Sequence, residues 1–241
     1  MKKYIKLNKL SVVIPVFNED KTLKEIVGRI YSADILNLKL EVIIVDDFST
    51  DSSWEQAREI HKKHENVKIF RHSQNEGKGA SLKTAFSKCS GEIVLIQDAD
   101  LEYDPSDYPK LLKPILDGKA DVVYGSRFRS HNPTRVLYFW HRIANGMLTL
   151  CSNMFTNLNL TDMETGFKVF RKDKLAQIKL CETRFGIEPE ITAKIARIPQ
   201  IRIYEVGISY AGRTYEEGKK IGLKDAFRAI YVIFKYGIFF R

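Results

Sequence analysis

Short apolar segments recur along the first half of the chain at intervals of 25 to 30 residues, and each is followed by a stretch typical of a helix. This spacing leaves room for one strand and one crossover helix per repeat, which is typical of a parallel sheet. Strands of such a sheet are buried on both faces and are therefore continuous apolar runs. We predict an α/β fold with a mostly parallel sheet and helices on both faces. The five predicted strands begin near Leu10, Leu40, Val67, Glu92 and Ala120.

The second half of the chain has a different pattern. An Arg- and aromatic-rich segment after Gly125 predicts a helix that reaches about Phe155, followed by a strand over residues 167–170 and a helix over residues 189–196. No Pro/Gly linker or repeat separates this half from the first. We therefore expect one folding unit whose second half builds the acceptor side of a site.

Charge and cysteine content limit the function classes. The net charge of +9 favours an anionic partner, and nucleic acid, an acidic membrane surface and a phosphorylated substrate all remain open on this observation. Cys89, Cys151 and Cys181 are far apart and outside any CxxC pattern, which indicates neither disulfides nor a zinc site. The basic start of the chain lacks the apolar run of a signal peptide. We expect a cytoplasmic protein that is not exported by that route.

The stretch Asp98-Ala99-Asp100-Leu101-Glu102 carries the strongest chemical signal. It places alternating carboxylates just beyond a predicted buried strand, where extended backbone directs alternate side chains the same way. Clustered carboxylate oxygens suit Mg²⁺ or Mn²⁺ and leave coordination positions for substrate phosphates. The alternative is a solvated acidic turn that caps the helix predicted near Pro105.

Polar residues also follow the first two predicted strands. Asp46 and Asp47 end the second strand, where a carboxylate can accept hydrogen bonds from a base or ribose, or can cap the next helix. Pro15, Phe17 and Glu19 follow the first strand and are open to the same two interpretations, a base pocket or ordinary turn chemistry.

Three basic segments are candidates for phosphate binding. Residues 75–79, Asn-Glu-Gly-Lys-Gly, resemble a phosphate-binding turn but lack the spacing of a P-loop, so a flexible helix entry is an equal alternative. Arg127 follows the fifth strand, and Arg213 precedes Lys219 and Lys220. These side chains could bind a departing diphosphate or could form a solvated basic surface. His61 and His64 share a helix face without a third ligand, which favours a solvated pair over a metal site.

The segments VVIPVFNE, IIVDDFSTD, NEGKGASL, residues 98–102, YGSRF and TGFKVF occur in this order over nearly the whole chain. Together they resemble the motif set of family 2 glycosyltransferases with the GT-A fold, of the dolichol-phosphate mannose or glucose synthase type. The resemblance implies a Rossmann-like GT-A sheet and a catalytic role for Asp100, Arg127 and Arg213. It also implies a set of donor-binding residues, which are Pro15, Phe17, Glu19, Val45, Asp47, Asp98, Ala99 and Lys219. The implied metal ligands are Asp98, Asp100 and Glu102.

An enzyme of this kind transfers a hexose, with inversion, from a UDP- or GDP-linked donor to undecaprenyl or dolichyl phosphate, using a divalent metal ion. A polyprenyl phosphate is already anionic and needs no strong general base. The alternative is a family 2 transferase that acts on a sugar hydroxyl in a wall or capsule polymer. That reaction needs a base, and the candidates are Asp162, Glu164, Glu188 and Glu190. A nucleic-acid-binding protein is a further alternative, but the clustered carboxylates argue against it.

The last segment bears on membrane contact. Apolar residues recur at helical spacing between Leu223 and Phe234, interrupted by basic residues, and no apolar run approaches the ~20 residues that span a bilayer. We assign residues 1–220 to the glycosyltransferase domain and residues 221–241 to a C-terminal amphipathic helix. That helix could lie in the interface of the cytoplasmic membrane face, or it could pack on the core or on a second copy.

Overall fold

A computed structural model of the chain describes residues 7–129, 135–136, 138–213 and 223–238. The strands are β1 (Lys9–Val16), β2 (Lys39–Asp46), β3 (Val67–Arg71), β4 (Ile93–Ile96), β5 (Val122–Ser126), β6 (Lys168–Arg171) and β7 (Ile203–Gly207). The helices are α1 (Leu23–Ser32), α2 (Ser53–Lys63), α3 (Lys78–Lys88), α4 (Tyr108–Leu116), α5 (Phe139–Thr156), α6 (Lys172–Leu175), α7 (Ile187–Ile195) and α8 (Leu223–Ile238), with a 3₁₀ turn at Pro105–Asp107.

The strands within the described ranges form one sheet in the order β3-β2-β1-β4-β6-β5-β7. The four strands β1 to β4 are parallel, and β7 is parallel to β5. The prediction of a mostly parallel α/β sheet is confirmed. Two features were not predicted. Strand β6 is antiparallel to both of its neighbours, and β7, with its partly exposed sequence IYEVG, carries no continuous apolar run.

The apolar side chains of the central strands divide between the two faces of the sheet. Val12 and Ile14 of β1 belong to one buried cluster, which includes residues of α1 and α4. Val13 belongs to a second cluster, which includes residues of α3, α7 and α8. Because β1 is covered on both faces, it needs the uninterrupted apolar run that the sequence has.

Helix α8 packs against α5 and α7. Its buried residues include Val232, Ile233 and Tyr236, whereas Phe227 and Phe234 face solvent. The ring of Phe234 lies edge-on to Phe155 of α5, with 5.2 Å between centroids. One face of α8 therefore packs on the core, as one of the two alternatives predicted. The other face is apolar and exposed. No helix in the described ranges is long and apolar enough to cross a bilayer.

Two sequence predictions fall outside the described residues. Lys219, expected to bind phosphate, and the proposed domain boundary between residues 220 and 221 both lie in the undescribed range 214–222.

Candidate functional site

The carboxyl ends of β1, β2 and β4 meet at one edge of the sheet. Val16 of β1 pairs with Asp46 of β2, and Val13 of β1 pairs with Ile96 of β4. Because these strands are parallel, the loops that leave them start side by side. The residues predicted from three separate motifs therefore come together here, and we call this region the donor edge.

The acidic loop after β4 is partly buried. The carboxylate of Asp100 accepts a hydrogen bond from the backbone N–H of Glu102 at 3.1 Å, and Leu101 between them has a left-handed backbone, with φ of 63°. Burial raises the pKa of Asp100 to about 7, and the nearby charges of Asp98 and Glu102 add to the rise. A divalent cation would offset this crowding of negative charge, so the donor chemistry of Asp98 and Asp100 fits a hard metal ion.

The capping alternative for this loop is wrong. The 3₁₀ turn at Pro105–Asp107 is capped by Asp104, whose side chain accepts a hydrogen bond from the backbone N–H of Ser106 at 2.8 Å. The carboxylates of residues 98–102 are therefore not needed to begin the next element.

The three predicted metal ligands are not assembled into one cluster. Lys78 donates to both carboxylate oxygens of Asp98, at 2.8 and 2.9 Å. The carboxylate of Glu102 accepts from the Tyr210 hydroxyl and from the backbone N–H of Arg213, each at 2.8 Å. Within the described ranges no group of three or more His, Cys, Asp or Glu side chains is arranged to hold a metal ion. A metal contact of Glu102 stays a prediction, and in this structure its carboxylate is bonded to the chain that follows β7.

Arg213 contacts two of the residues predicted for the site, Glu19 and Asp100. Its guanidinium pairs with the carboxylate of Glu19, at 2.8 and 3.3 Å, and its Nε donates to the backbone carbonyl of Asp100 at 2.9 Å. Pro15 and Val45 are register partners on β1 and β2, and Phe17 follows at the same edge, half-buried. Ala99 is buried against the core. The basic residue predicted from the far end of the chain thus does reach the acidic loop.

Asp47 joins the end of β2 to the start of α3. Its carboxylate accepts hydrogen bonds from the backbone N–H groups of Glu76 and Gly77, at 2.9 and 2.7 Å, and contacts Nδ1 of His72 at 2.7 Å. The helix-cap interpretation of Asp46 and Asp47 is wrong, because the backbone N–H at the start of α2 donates instead to Asp51. Contact of Asp47 with a nucleoside stays a prediction.

Lys78 belongs to the segment 75–79 considered for phosphate binding, but no individual role was predicted for it. It opens α3, and its Nζ lies 2.8 Å from Asp98 and 3.5 Å from Glu188. Burial would lower its pKa, but the two carboxylates hold the pKa of Lys78 above its usual range. The signal in the sequence was the segment Gly-Lys-Gly, whose lysine now stands between two predicted carboxylates.

Arg127 lies at the wall of a pocket that adjoins the acidic loop through Tyr210. Its guanidinium and Asp162 form a two-pronged ion pair, with N–O distances of 2.6 and 2.7 Å, and its Cζ lies 5.2 Å from the ring centre of Tyr210. Beside it is a cavity of about 440 Å³ that contains three arginines and three aromatic rings. We call this the arginine pocket; its lining residues are Arg127, Phe128, Arg135, Val136, Phe139, Arg142 and Tyr210. The sequence singled out Arg127 but neither Arg135 nor Arg142.

The sequence also matches a known protein family. Residues 11–179 match glycosyl transferase family 2. The chain belongs to this family.

Relatives of this chain include a dolichol-phosphate mannosyltransferase of Pyrococcus furiosus, which is 30% identical over 235 residues covering 95% of this chain and 64% of the relative. An undecaprenyl-phosphate 4-deoxy-4-formamido-L-arabinose transferase of Proteus mirabilis is 29% identical over 228 residues, covering 93% of this chain and 66% of the relative. The chain thus spans about two thirds of the length of these relatives.

The solved structures confirm the GT-A fold. Glucosyl-3-phosphoglycerate synthase of Mycobacterium tuberculosis, crystallised with Mn²⁺, UDP and phosphoglyceric acid, superposes with a TM-score of 0.71 at 19% identity. The match covers 96% of this chain and 79% of that one. At this identity the likeness establishes the fold of the glycosyltransferase and nothing about its substrates.

The four carboxylates considered as a general base have different environments in this glycosyltransferase. Asp162 is bound by Arg127, Glu188 pairs with buried Lys168, and Glu190 pairs with Lys194 at 2.5 Å. Glu164 Oε1, like Glu188 Oε1, is buried without a hydrogen-bond partner among the described residues, but Glu188 also has its ion pair with Lys168. Burial raises the pKa of Glu164 to about 7, and the charge of Glu188 adds to the rise.

Two neighbouring helices, α5 and α8, expose apolar stripes, and the stripe of α5 begins at the wall of the arginine pocket. In α5 and α8 the exposed apolar residues recur every three or four positions, so each set lies on one side of its helix. We call the two stripes together the apolar face; its residues are Phe139, Trp140, Ile143, Met147, Leu150 and Met154 of α5, and Phe227, Ile230, Tyr231, Phe234 and Ile238 of α8. Phe139 belongs both to this face and to the pocket wall. An exposed face of this composition is typical of a membrane or protein contact.

Proposed function

We propose that this glycosyltransferase moves a hexose, with inversion, from a UDP- or GDP-linked donor to a polyprenyl phosphate. The observation that carries the proposal is the arginine pocket, which adjoins the apolar face through Phe139. A lipid phosphate has an anionic head and an apolar chain, and these two surfaces match the two parts. Relatives named for dolichol-phosphate and undecaprenyl-phosphate transfer support this choice of acceptor.

The donor is assigned to the donor edge. Pro15, Phe17, Val45 and Asp47 would surround the nucleoside, since they leave β1 and β2 at the edge where parallel sheets bind ligands. Glu19 would support this site by holding Arg213 near the acidic loop. Lys219, outside the described residues, is proposed as a further contact to the donor phosphates on the family resemblance.

A divalent metal, Mg²⁺ or Mn²⁺, is proposed at Asp98 and Asp100, whose crowded negative charge fits a cation. When bound, such an ion supplies electrostatic stabilisation to the leaving diphosphate. Lys78 is already at Asp98, and Arg213 lies beside Asp100, so two cationic side chains add to the same field. The M. tuberculosis enzyme of the same fold was crystallised with Mn²⁺ and UDP.

The acceptor phosphate would bind among Arg127, Arg135 and Arg142. Asp162 fixes the guanidinium plane of Arg127 through its two-pronged pair, so that the remaining donors have a set direction. The phosphate is anionic at neutral pH and attacks without a general base, so the residues contribute mainly by orienting two anions. Excluding water from this pocket strengthens each of these contacts.

The apolar face supports a peripheral position on the cytoplasmic membrane surface. Aromatic side chains such as Trp140 and Tyr231, with arginine nearby, are typical of helices that lie in the interface. Residues 221–241 are proposed as an interfacial helix that follows the catalytic domain of residues 1–220. In this arrangement α5 and α8 bring the arginine pocket to the depth of the lipid headgroups.

A transferase acting on a sugar hydroxyl is the second candidate, and one observation favours it. Glu164, with a pKa of about 7 and an unpartnered buried oxygen, has the properties of a general base at neutral pH. The apolar face argues for the lipid acceptor instead, because a soluble sugar gives it no role.

The deciding experiment incubates the protein with Mn²⁺, vesicles containing undecaprenyl phosphate and radiolabelled UDP-glucose or GDP-mannose. We expect label in the organic phase, dependent on the lipid phosphate and lost on addition of EDTA. Label that enters only water-soluble oligosaccharide would favour the second candidate. Absence of transfer with a broad panel of nucleotide sugars would contradict both.

A further inference from the structure

The loop of residues 181–186 packs closely against the first turn of α3. The backbone N–H of Ala80 donates to the backbone carbonyl of Thr183 at 2.9 Å. A Cβ built on Gly77 would lie 2.6 Å from that same carbonyl oxygen, and one on Gly79 would lie 2.7 Å from the carbonyl oxygen of Glu182. Two backbones are therefore in direct contact, and only glycine fits between them.

The first turn of α3 is also part of the donor edge. The backbone N–H of Gly77 donates to Asp47 at 2.7 Å, and Lys78 holds Asp98 at 2.8 Å. Any displacement of this turn would move Lys78 relative to the acidic loop. The loop of residues 181–186 thus supports two of the motifs assigned to the nucleotide sugar.

The same loop is held from its other side by α8. The carboxylate of Glu182, only 5% exposed, accepts hydrogen bonds from Arg228 at 2.6 Å and from Lys235 at 3.1 Å. Burial would raise the pKa of Glu182, but the hydrogen bonds from Arg228 and Lys235 outweigh it and lower that pKa. Arg228 and Lys235 are two helical turns apart, so one carboxylate fixes a long section of α8.

The backbone of the loop is also held from α7. The carboxylate of Glu190 accepts from the backbone N–H groups of Cys181 and Glu182, at 2.8 and 2.7 Å. The fold of the loop therefore has its own support from α7. The contact of the Glu182 side chain links the loop to α8. The opposite side of α8 belongs to the apolar face.

We propose that Glu182 is a positioning residue for the donor site, acting through the loop of residues 181–186 and the first turn of α3. The proposal rests on the proposed function, because it concerns the site assigned to the nucleotide sugar. It makes α8 a structural support of that site as well as part of the apolar face. Weakening the contact between Glu182 and α8 loosens the turn that carries Lys78 and lowers affinity for the donor nucleotide.

The test uses Glu182→Gln, which removes the charge but keeps the size, and Arg228→Gln, which breaks the same contact from a half-exposed position on α8. Glu59→Gln is the matched control, since Glu59 forms an exposed pair with Lys24 on the far helices. Each protein is titrated calorimetrically with UDP and with GDP in the presence of Mn²⁺. Amide hydrogen exchange at Ala80 is followed in parallel.

We expect Glu182→Gln to raise the dissociation constant for the nucleotide about threefold to tenfold. Exchange at Ala80 should become faster, and the transfer rate at saturating donor should stay close to that of the wild type. Arg228→Gln should have a smaller effect in the same direction, and the double variant should resemble Glu182→Gln, because both changes break one contact. Glu59→Gln should match the wild type in all three measurements.

Lower thermal stability with unchanged nucleotide affinity and unchanged exchange at Ala80 would overturn the positioning role and leave Glu182 as a structural contact. A wild-type protein that binds neither UDP nor GDP would instead remove the proposed function, and the positioning role with it. The two failures are thus distinguished by the wild-type titration.

Discussion

The donor edge and the arginine pocket both face anionic groups in the proposed reaction, yet they are built in different ways. At the donor edge, carboxylates such as Asp47 and Asp98 are already bonded to backbone N–H groups and to Lys78. In the pocket, arginines and aromatic rings surround an open cavity, and Phe139 continues onto an exposed apolar stripe. One site is organised from within the fold, whereas the other is open toward its surroundings.

This difference indicates how each site obtains its selectivity. A buried network leaves little freedom, so the donor edge suits a ligand whose phosphates and metal ion replace specific contacts. The pocket presents three arginines and three aromatic rings around an open cavity, which suits a ligand with one anionic head and a variable chain. Changes at the donor edge should therefore abolish chemistry, and changes in the pocket or the apolar face should weaken acceptor use alone.

The largest effect is expected from Asp100→Asn. Removing this carboxylate takes away a proposed metal ligand, and transfer should fall about 1,000-fold, as for loss of a main electrostatic group. The thermal stabilisation that Mn²⁺ gives the wild type should also disappear. Asp104→Asn is the control, because asparagine also caps a turn and should leave transfer near normal. Full turnover in Asp100→Asn would contradict the metal assignment.

The next effect is expected from Arg142→Gln in the arginine pocket. Arg142 stacks on Phe128, with 3.8 Å between its Cζ and the ring centre, and a charged hydrogen bond to phosphate contributes about 1.5–3 kcal/mol. The kcat/KM for undecaprenyl phosphate should therefore fall about tenfold to hundredfold, while nucleotide affinity is unchanged. Exposed Arg58 supplies the control variant Arg58→Gln. An equal loss of nucleotide affinity would erase the distinction between the two sites.

A smaller effect is expected from the double variant Trp140→Ser, Met147→Ser on the apolar face. These side chains are 75% and 63% exposed, and transferring such area into a lipid interface is favourable. Sedimentation with anionic vesicles should show roughly tenfold weaker binding. Tyr204→Ser changes an exposed aromatic residue on β7 and should bind vesicles like the wild type. Unaltered sedimentation of the double variant would remove the membrane role of this face.

The smallest effect is expected from Glu164→Gln. A lipid phosphate needs no base, so transfer to undecaprenyl phosphate should change less than about threefold, whereas loss of a general base costs about 10²- to 10⁴-fold. Stability should also respond. The pKa of Glu164 is higher in the folded protein than in the unfolded chain, so the folded state loses stability as the pH rises above the pKa of the unfolded chain. Glutamine does not ionise and therefore removes this loss of stability. The thermal midpoint at pH 8 should therefore rise. A large loss of transfer would favour the hydroxyl acceptor.

The donor edge could be predicted from the sequence to a greater extent than the pocket. Continuous apolar runs identify β1, β2 and β4, and parallel strands fix where the following residues emerge, so Phe17, Asp47 and Asp98 could be grouped. The individual partners could not be predicted. Whether Glu102 faces a metal ion or Tyr210 depends on a chain segment more than a hundred residues away.

The arginine pocket could not be predicted from the periodicity of the sequence. Arg127 follows a strand and was found, but Arg135 and Arg142, which line the same pocket, follow no predicted strand. The partly exposed β7 lacks a continuous apolar run, and the antiparallel direction of β6 was not predicted although the strand itself was. Val232 and Tyr236, on the buried face of α8, were also missed, whereas Phe234, noted in the sequence, is partly exposed.

The most direct test of two separate sites is calorimetric titration of farnesyl phosphate into the protein saturated with Mn²⁺ and the nucleoside diphosphate that it binds. Two sites predict one farnesyl phosphate per chain, bound without displacing the nucleotide, and a specific loss of this binding in Arg142→Gln. Competition between farnesyl phosphate and the nucleotide for one site would contradict the account.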